Sequence, residues 1–173
     1  MCAIVVRHRD LERAEAEALL AGLHVAAMAF AFHDRVAITL VNYVYRNDWI
    51  YSRIEDGPDL AMLRHHQWVA LEARAATGTF DWRTVTVNGS VELLSNAGPP
   101  AAIRTYQEAA ALLRSVVPTI FTERDPFPQR VQLFRLHADI VAGREARTHT
   151  HDSSSDAFVP RPVIGERDFP GKV

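Results

Sequence analysis

The sequence predicts a mainly β fold, a small antiparallel barrel with helices at its margins. Three patterns point there. Residues 82–94 alternate, with Val85, Val87, Val91 and Leu93 on one face and Thr84, Thr86, Asn88, Ser90 and Glu92 on the other, the period of a strand with one buried and one wet face. Residues 23–32 and 36–45 are two runs rich in β-branched, aromatic and other apolar residues, parted by the polar turn His33-Asp34-Arg35, which reads as a hairpin. Helical signals are confined to three stretches, which favours a barrel over a doubly wound sheet.

One domain accounts for the length. A chain of 173 residues, 48% hydrophobic and 23% charged, buries roughly 70% of its unfolded surface and needs no covalent staple. The single cysteine, Cys2, excludes an internal disulfide and zinc sites built on paired cysteines, and makes the cytoplasm the default location. A net charge of −2 argues against a nucleic-acid partner. No run reaches the roughly 18 apolar residues of a membrane span. The apolar start turns charged at Arg7, too soon for a signal peptide.

Taken in order, Asp10 is placed to cap a helix from Leu11 to Gly22, with Leu11, Ala14, Ala18 and Ala21 on its apolar face. The hairpin of residues 23–32 and 36–45 follows. A turn at Arg46-Asn47-Asp48 leads to a strand at 49–53, and Glu55-Asp56-Gly57-Pro58 breaks the chain before a short helix at 59–66. Residues 67–74 and 82–94 are the next strands. Pro99-Pro100 opens a helix whose Ile103, Tyr106, Ala110, Leu113 and Val117 make an apolar stripe. Residues 131–138 supply a last strand, and the expected domain spans 1–144 with an irregular tail at 145–173, where Pro160, Pro162 and Pro170 oppose a helix. Residues 23–32 are apolar on both strand faces, so a second cover, from another chain or helix, is expected.

Polar residues within apolar rows mark where chemistry could sit. Asn42 is one amide in the row Val36, Ile38, Leu40, Val44 and must find hydrogen-bond partners, from neighbouring backbone or from the edge of a planar heterocycle. Arg53, Arg64 and Arg83 lie at element ends, suited either to surface ion pairs or to a shared anion. His33 and Tyr43 are the nearby candidates for a proton donor. His149, His151, Asp152 and His137 are a weak metal-ligand set, lacking an evident ligand count.

The runs VNYVYRNDWIYSRIEDGPDLAMLRHHQWVALEA, DWRTVTVNGSVELL and VQLFRLHADIVAGR resemble the pyridoxamine 5′-phosphate oxidase-like superfamily of flavin-nucleotide-binding split barrels, in its nitroimidazole-resistance-like branch. The resemblance covers residues 21–144. It implies a homodimeric six-stranded split barrel that binds FMN between subunits and acts as an oxidoreductase on a small molecule. Leu40, Val41 and Asn42 would lie along the flavin ring, Ser52 and Arg53 would approach its phosphate, and Arg83 and Thr84 would meet it from the next strand. Asp59 stands where many relatives carry a phosphate-gripping lysine, a charge reversal that Arg53 or Arg64 would have to compensate. The basic residues with which vitamin B6 oxidases hold a second phosphate have no match. A binding or regulatory module that has lost tight FMN binding is the alternative, and a haem-binding relative a weaker one.

Overall fold

The computed structural model describes residues 3–151. Eleven elements follow one another: β1 (Ala3–Leu11), α1 (Arg13–Gly22), β2 (Val25–Phe32), β3 (Arg35–Arg46), β4 (Trp49–Ile54), α2 (Pro58–His65), β5 (Trp68–Ala76), β6 (Trp82–Leu93), α3 (Pro100–Val116), β7 (Gln132–His137) and β8 (Ile140–His151). Strands β6-β5-β2-β3-β4-β7 close on themselves through a β6–β7 pairing, giving a six-stranded antiparallel barrel. β8 and β1 extend the sheet outward from β6. The predicted fold class holds. Among the described residues no helix is long and apolar enough to cross a membrane.

β6 makes the split. Its first part pairs with β8 from Trp82 to Asn88, and its last part with β7 from Val91 to Leu93. Gly89 sits between the two pairings, where a methyl group would run into the His137 carbonyl oxygen, so only glycine lets β7 approach. Gly143 has the same role on β8, since an added Cβ would lie 2.9 Å from Ala16 and Leu11 on the packed α1 side. The β3–β4 hairpin turns on Asn47 and Asp48, both at positive φ (51° and 62°), the conformation that two-residue primed turns require.

The barrel interior holds Met28, Phe30, Val41, Tyr43, Ile50, Leu71, Val85, Val87, Phe134 and Leu136, with Leu60 and Leu63 of α2 in the same cluster. α3 buries Ala109, Ala110 and Leu113 in a second cluster with Tyr51, Ile120 and Leu133. Tyr43 donates its hydroxyl to the Leu20 carbonyl at 2.8 Å. Helix α1 is thereby tied to the barrel.

Two expectations need correction. Residues 3–11 form strand β1, and α1 begins at Arg13 with Glu12 as its N-cap rather than Asp10. Glu12 and Glu15 make a reciprocal capping box, a stronger start signal than a lone aspartate, while Asp10 pairs across the strands with Arg144 at 3.3 Å. The buried face of α1 is Ala16, Leu19 and Leu20, whereas Ala14, Ala18 and Ala21 are exposed. The boundary drawn after residue 144 falls inside β8, which continues to His151 in register with β1. Alternation through Glu145, Arg147 and His149 was masked by their charge. The remainder of the expected tail lies outside the described residues.

Candidate functional site

Alternation along β3 decides which of its residues are available. Val41 and Tyr43 point into the barrel and are buried. Val36, Ile38 and Leu40 point outward and are 73%, 71% and 62% exposed, with Asn42 half-buried at the end of their row. Register carries this face onto β2, where Val25, Ala27, Ala29 and Ala31 stand opposite Asn42, Leu40, Ile38 and Val36. It continues onto β5, with Ala27 opposite Glu72 and Ala29 opposite Ala70. Large exposed aliphatics in one contiguous strip are unusual on a monomer surface.

The same face becomes polar further along. Glu72 and Arg74 of β5 stand opposite Thr86 and Thr84 of β6, and Thr84 stands opposite Arg144 of β8. Asp10, Glu72, Arg74, Trp82, Thr84 and Arg144 help line an open groove of about 360 Å³. Arg74 reaches Glu72 at 3.4 Å and Arg144 reaches Asp10 at 3.3 Å, while the Arg74 guanidinium lies 5.9 Å from the Trp82 ring centre. Exposed pairs of this kind are worth about 0–1 kcal/mol. Both guanidiniums therefore remain free to turn toward an anion.

Arg53 is in the opposite situation. It is buried and its fork grips Asp125 with two bonds of 2.6 Å, while also donating to the Arg130 carbonyl at 3.3 Å. Asp125 in turn accepts the backbone N–H groups of Phe121 and Phe127 at 2.8 and 2.9 Å. The Arg53 hydrogen bonds hold the Asp125 carboxyl well below the usual carboxylate range. Every strong group in this knot has a partner, so Arg53 anchors the segment after α3. Breaking such a buried pair from one side costs roughly 3–5 kcal/mol.

The remaining sequence-predicted residues divide between these settings. Ser52 is fully buried and donates to the Asn42 carbonyl at 2.8 Å. Asn42 and Arg53 line one small cavity beneath Leu113, Val117 and Ile120. Arg83 and Thr84 are sequence neighbours on opposite sheet faces: Thr84 lines the groove with Arg144, and Arg83 lines a cleft with Glu15 and Leu19 of α1. Asp59 lies half-buried in the first turn of α2 and Arg64 is exposed in its last turn. Asp59 suits the helix dipole there. The structure thus brings Leu40, Asn42 and Thr84 to the outer face and leaves Val41 and Ser52 on the inner one, while Arg53, which shares the parity of Asn42 across the Tyr43–Ser52 pair, is covered by α3 and the segment after it.

Proton donors are scarce. Burial pushes the Tyr43 phenol well above its ordinary value, and its proton is already given to Leu20. His33 occupies the β2–β3 turn at φ 55°. No three metal-ligating side chains gather among the described residues; the His151 side chain and Asp152 lie outside them. Sequence reading missed Arg74 and Arg144 as groove residues, although Glu72 and Arg74 share the parity of Trp68 and Ala70 along β5, a signal that was present.

Comparison with known proteins agrees with this architecture. The family model described as pyridoxamine 5′-phosphate oxidase matches residues 12–145. A FAD-binding protein from Mesorhizobium loti superposes with a TM-score of 0.66 at 20% identity, covering 84% of this chain and 99% of that one. A candidate 5-nitroimidazole antibiotic resistance protein from Bacteroides thetaiotaomicron gives a TM-score of 0.63 at 12% identity, with 86% and 93% covered. A FAD and heme binding protein from Mycobacterium smegmatis gives 0.56 at 16%, with 94% of each chain covered. No curated protein matches the sequence. With three quarters of its length under one family model and the closed, split β6 arrangement in place, the chain belongs to the pyridoxamine 5′-phosphate oxidase family of split barrels.

Proposed function

We propose that the chain binds a flavin nucleotide, FMN, on the outer face of its long sheet, as a homodimer, and serves as a flavin-dependent oxidoreductase for a small molecule in the cytoplasm. One observation carries this reading: an exposed aliphatic strip of Val36, Ile38 and Leu40 passes through the alanines of β2 and meets, at Glu72, a groove that holds Thr84, Arg74 and Arg144 beside Asp10. A flavin has the same division, an apolar ring system and a charged phosphate. The aliphatic strip would exclude water from the ring, the Asn42 carboxamide would meet its polar edge, and the two arginine forks would hold the phosphate. When bound, the flavin supplies hydride or electron transfer.

The strip also asks for a second copy. Burying a large aliphatic side chain gains roughly 1.5–3 kcal/mol, and Val25, Val36, Ile38, Leu40 and Trp68 together expose more apolar surface than one ring system covers. A two-fold partner would supply the rest. Named relatives support the flavin, since solved members of the fold are described as FAD-binding. Titration with FMN and with FAD, read by quenching of flavin fluorescence, tests the proposal; no saturation by high micromolar flavin removes it.

A second reading rests on Arg53. Its guanidinium is spent on Asp125, and Asp59 holds a negative charge at the start of α2, so neither would grip a phosphate there. A split barrel that keeps the dimer and binds flavin weakly, as a regulatory module, follows from those two residues. Haem is a third reading, supported by the relative described as FAD and heme binding and tested by a Soret band on haem addition.

A further inference from the structure

Strands β1 and β8 carry like charges directly opposite one another. Arg7 pairs in register with Arg147, and Arg9 with Glu145, which also stands opposite Arg83 of β6. Like charges at directly opposed positions destabilise a strand pair. Glu145, only 7% exposed in its side chain, accepts from Arg9 at 3.1 Å and Arg147 at 2.9 Å, and so fixes both. The outer nitrogens of Arg9 go to Glu15 at 2.8 and 2.9 Å, which lowers the Glu15 carboxyl to about 2. Arg147 keeps its other nitrogens free of these bonds, and Arg7 has no carboxylate partner among the described residues.

These side chains surround an opening. Arg7, His8, Arg9, Glu145, Arg147 and His149 line a cleft of about 410 Å³, and a neighbouring one of about 320 Å³ shares Glu145 and Arg147 and adds Arg83. Three guanidiniums thus face one carboxylate, with the His149 imidazole at the rim, while the His8 ring lies 5.8 Å from that of Trp82. Glu145 and Arg147 have the opposite strand parity to Arg144, so the cleft is distinct from the groove assigned to flavin. A buried carboxylate that braces two arginine forks, beside a third arginine with no carboxylate partner among the described residues, offers the forked donors that a multivalent oxyanion takes.

We propose that this cleft binds the phosphoryl group of a small phosphorylated ligand, with Arg7 and Arg147 as its paired forks. The volume suits a small organic phosphate. Calorimetric titration of the full chain with inorganic phosphate, at ionic strength held constant with sodium chloride, tests it. Saturable binding is expected, competed by sulfate and not by acetate. Arg7→Gln should weaken it roughly tenfold, the worth of one charge-assisted contact, and Arg104→Gln on α3, which removes the same charge elsewhere, should not. Because Arg7 is exposed and has no ion pair among the described residues, its loss should leave the fold intact, which circular dichroism of the variant checks. Absence of saturable binding, equal affinity in Arg7→Gln, or loss in Arg144→Gln with retention in Arg7→Gln would each overturn the proposal.

Discussion

Arg53 and Arg144 invite comparison, since both lie on strands and both sit near residues expected to hold an anion. Arg53 is buried, gripped twice by Asp125 and seated beside two satisfied backbone donors. Arg144 is exposed and touches Asp10 at 3.3 Å. The first has given its charge to the fold, and the second has kept it. Residue type alone does not separate these cases; the partner does, and the partner of Arg53 lies 72 residues away.

The largest effect expected from this contrast is on stability. Asp125→Ala leaves the Arg53 guanidinium buried and unpaired and should cost about 3–5 kcal/mol in urea unfolding, whereas replacing both together by apolar residues should cost much less. A small loss in the single variant would mean that Arg53 is solvated and available to ligand. The same pair sets an acid limit. The Asp125 carboxyl is depressed in the folded chain, so the stability it lends is complete above the unfolded value of about 3.9. It drains as pH falls through the lower folded value, and the fall in stability below about pH 4 should be shallower in Asp125→Asn than in the wild type.

On the outer face the order reverses, with binding more sensitive than folding. Ile38→Asp places a charge in the middle of the exposed strip; sedimentation should show a monomer, and flavin quenching should disappear, while the unfolding midpoint changes little. Arg74→Gln or Arg144→Gln should weaken flavin binding by roughly tenfold and shift stability by under about 0.5 kcal/mol. The smallest effect is expected from Asp59→Lys. Under the catalytic reading it improves FMN affinity only slightly, and a large gain would favour the module that has lost its phosphate grip.

Much of the barrel was legible because its strands obey local rules. The β6 alternation, the polar turns and the paired prolines before α3 each report on their own backbone. β1 and the end of β8 were not legible, since β1 is apolar only over Ala3 to Val6 before turning charged, the end of β8 is mostly polar, and their pairing spans more than 130 residues, as between Arg9 and Glu145. The site was legible in parts. Leu40, Asn42 and Thr84 share a face, as parity predicts, but Arg53 could not be separated from a ligand-binding arginine without knowing that Asp125 folds back over it. Arg74 was missed for the converse reason, as it looks like half of a surface ion pair until Thr84 and Arg144 are placed beside it.

On the proposed function, the outer face of the sheet and not the Arg53 knot receives a flavin. A titration of FMN fluorescence against the wild type, Ile38→Asp and Arg144→Gln tests it most directly. Saturable quenching in the wild type, lost in Ile38→Asp and weakened about tenfold in Arg144→Gln, is the expected result. Equal quenching by all three proteins, each folded by circular dichroism, would contradict it.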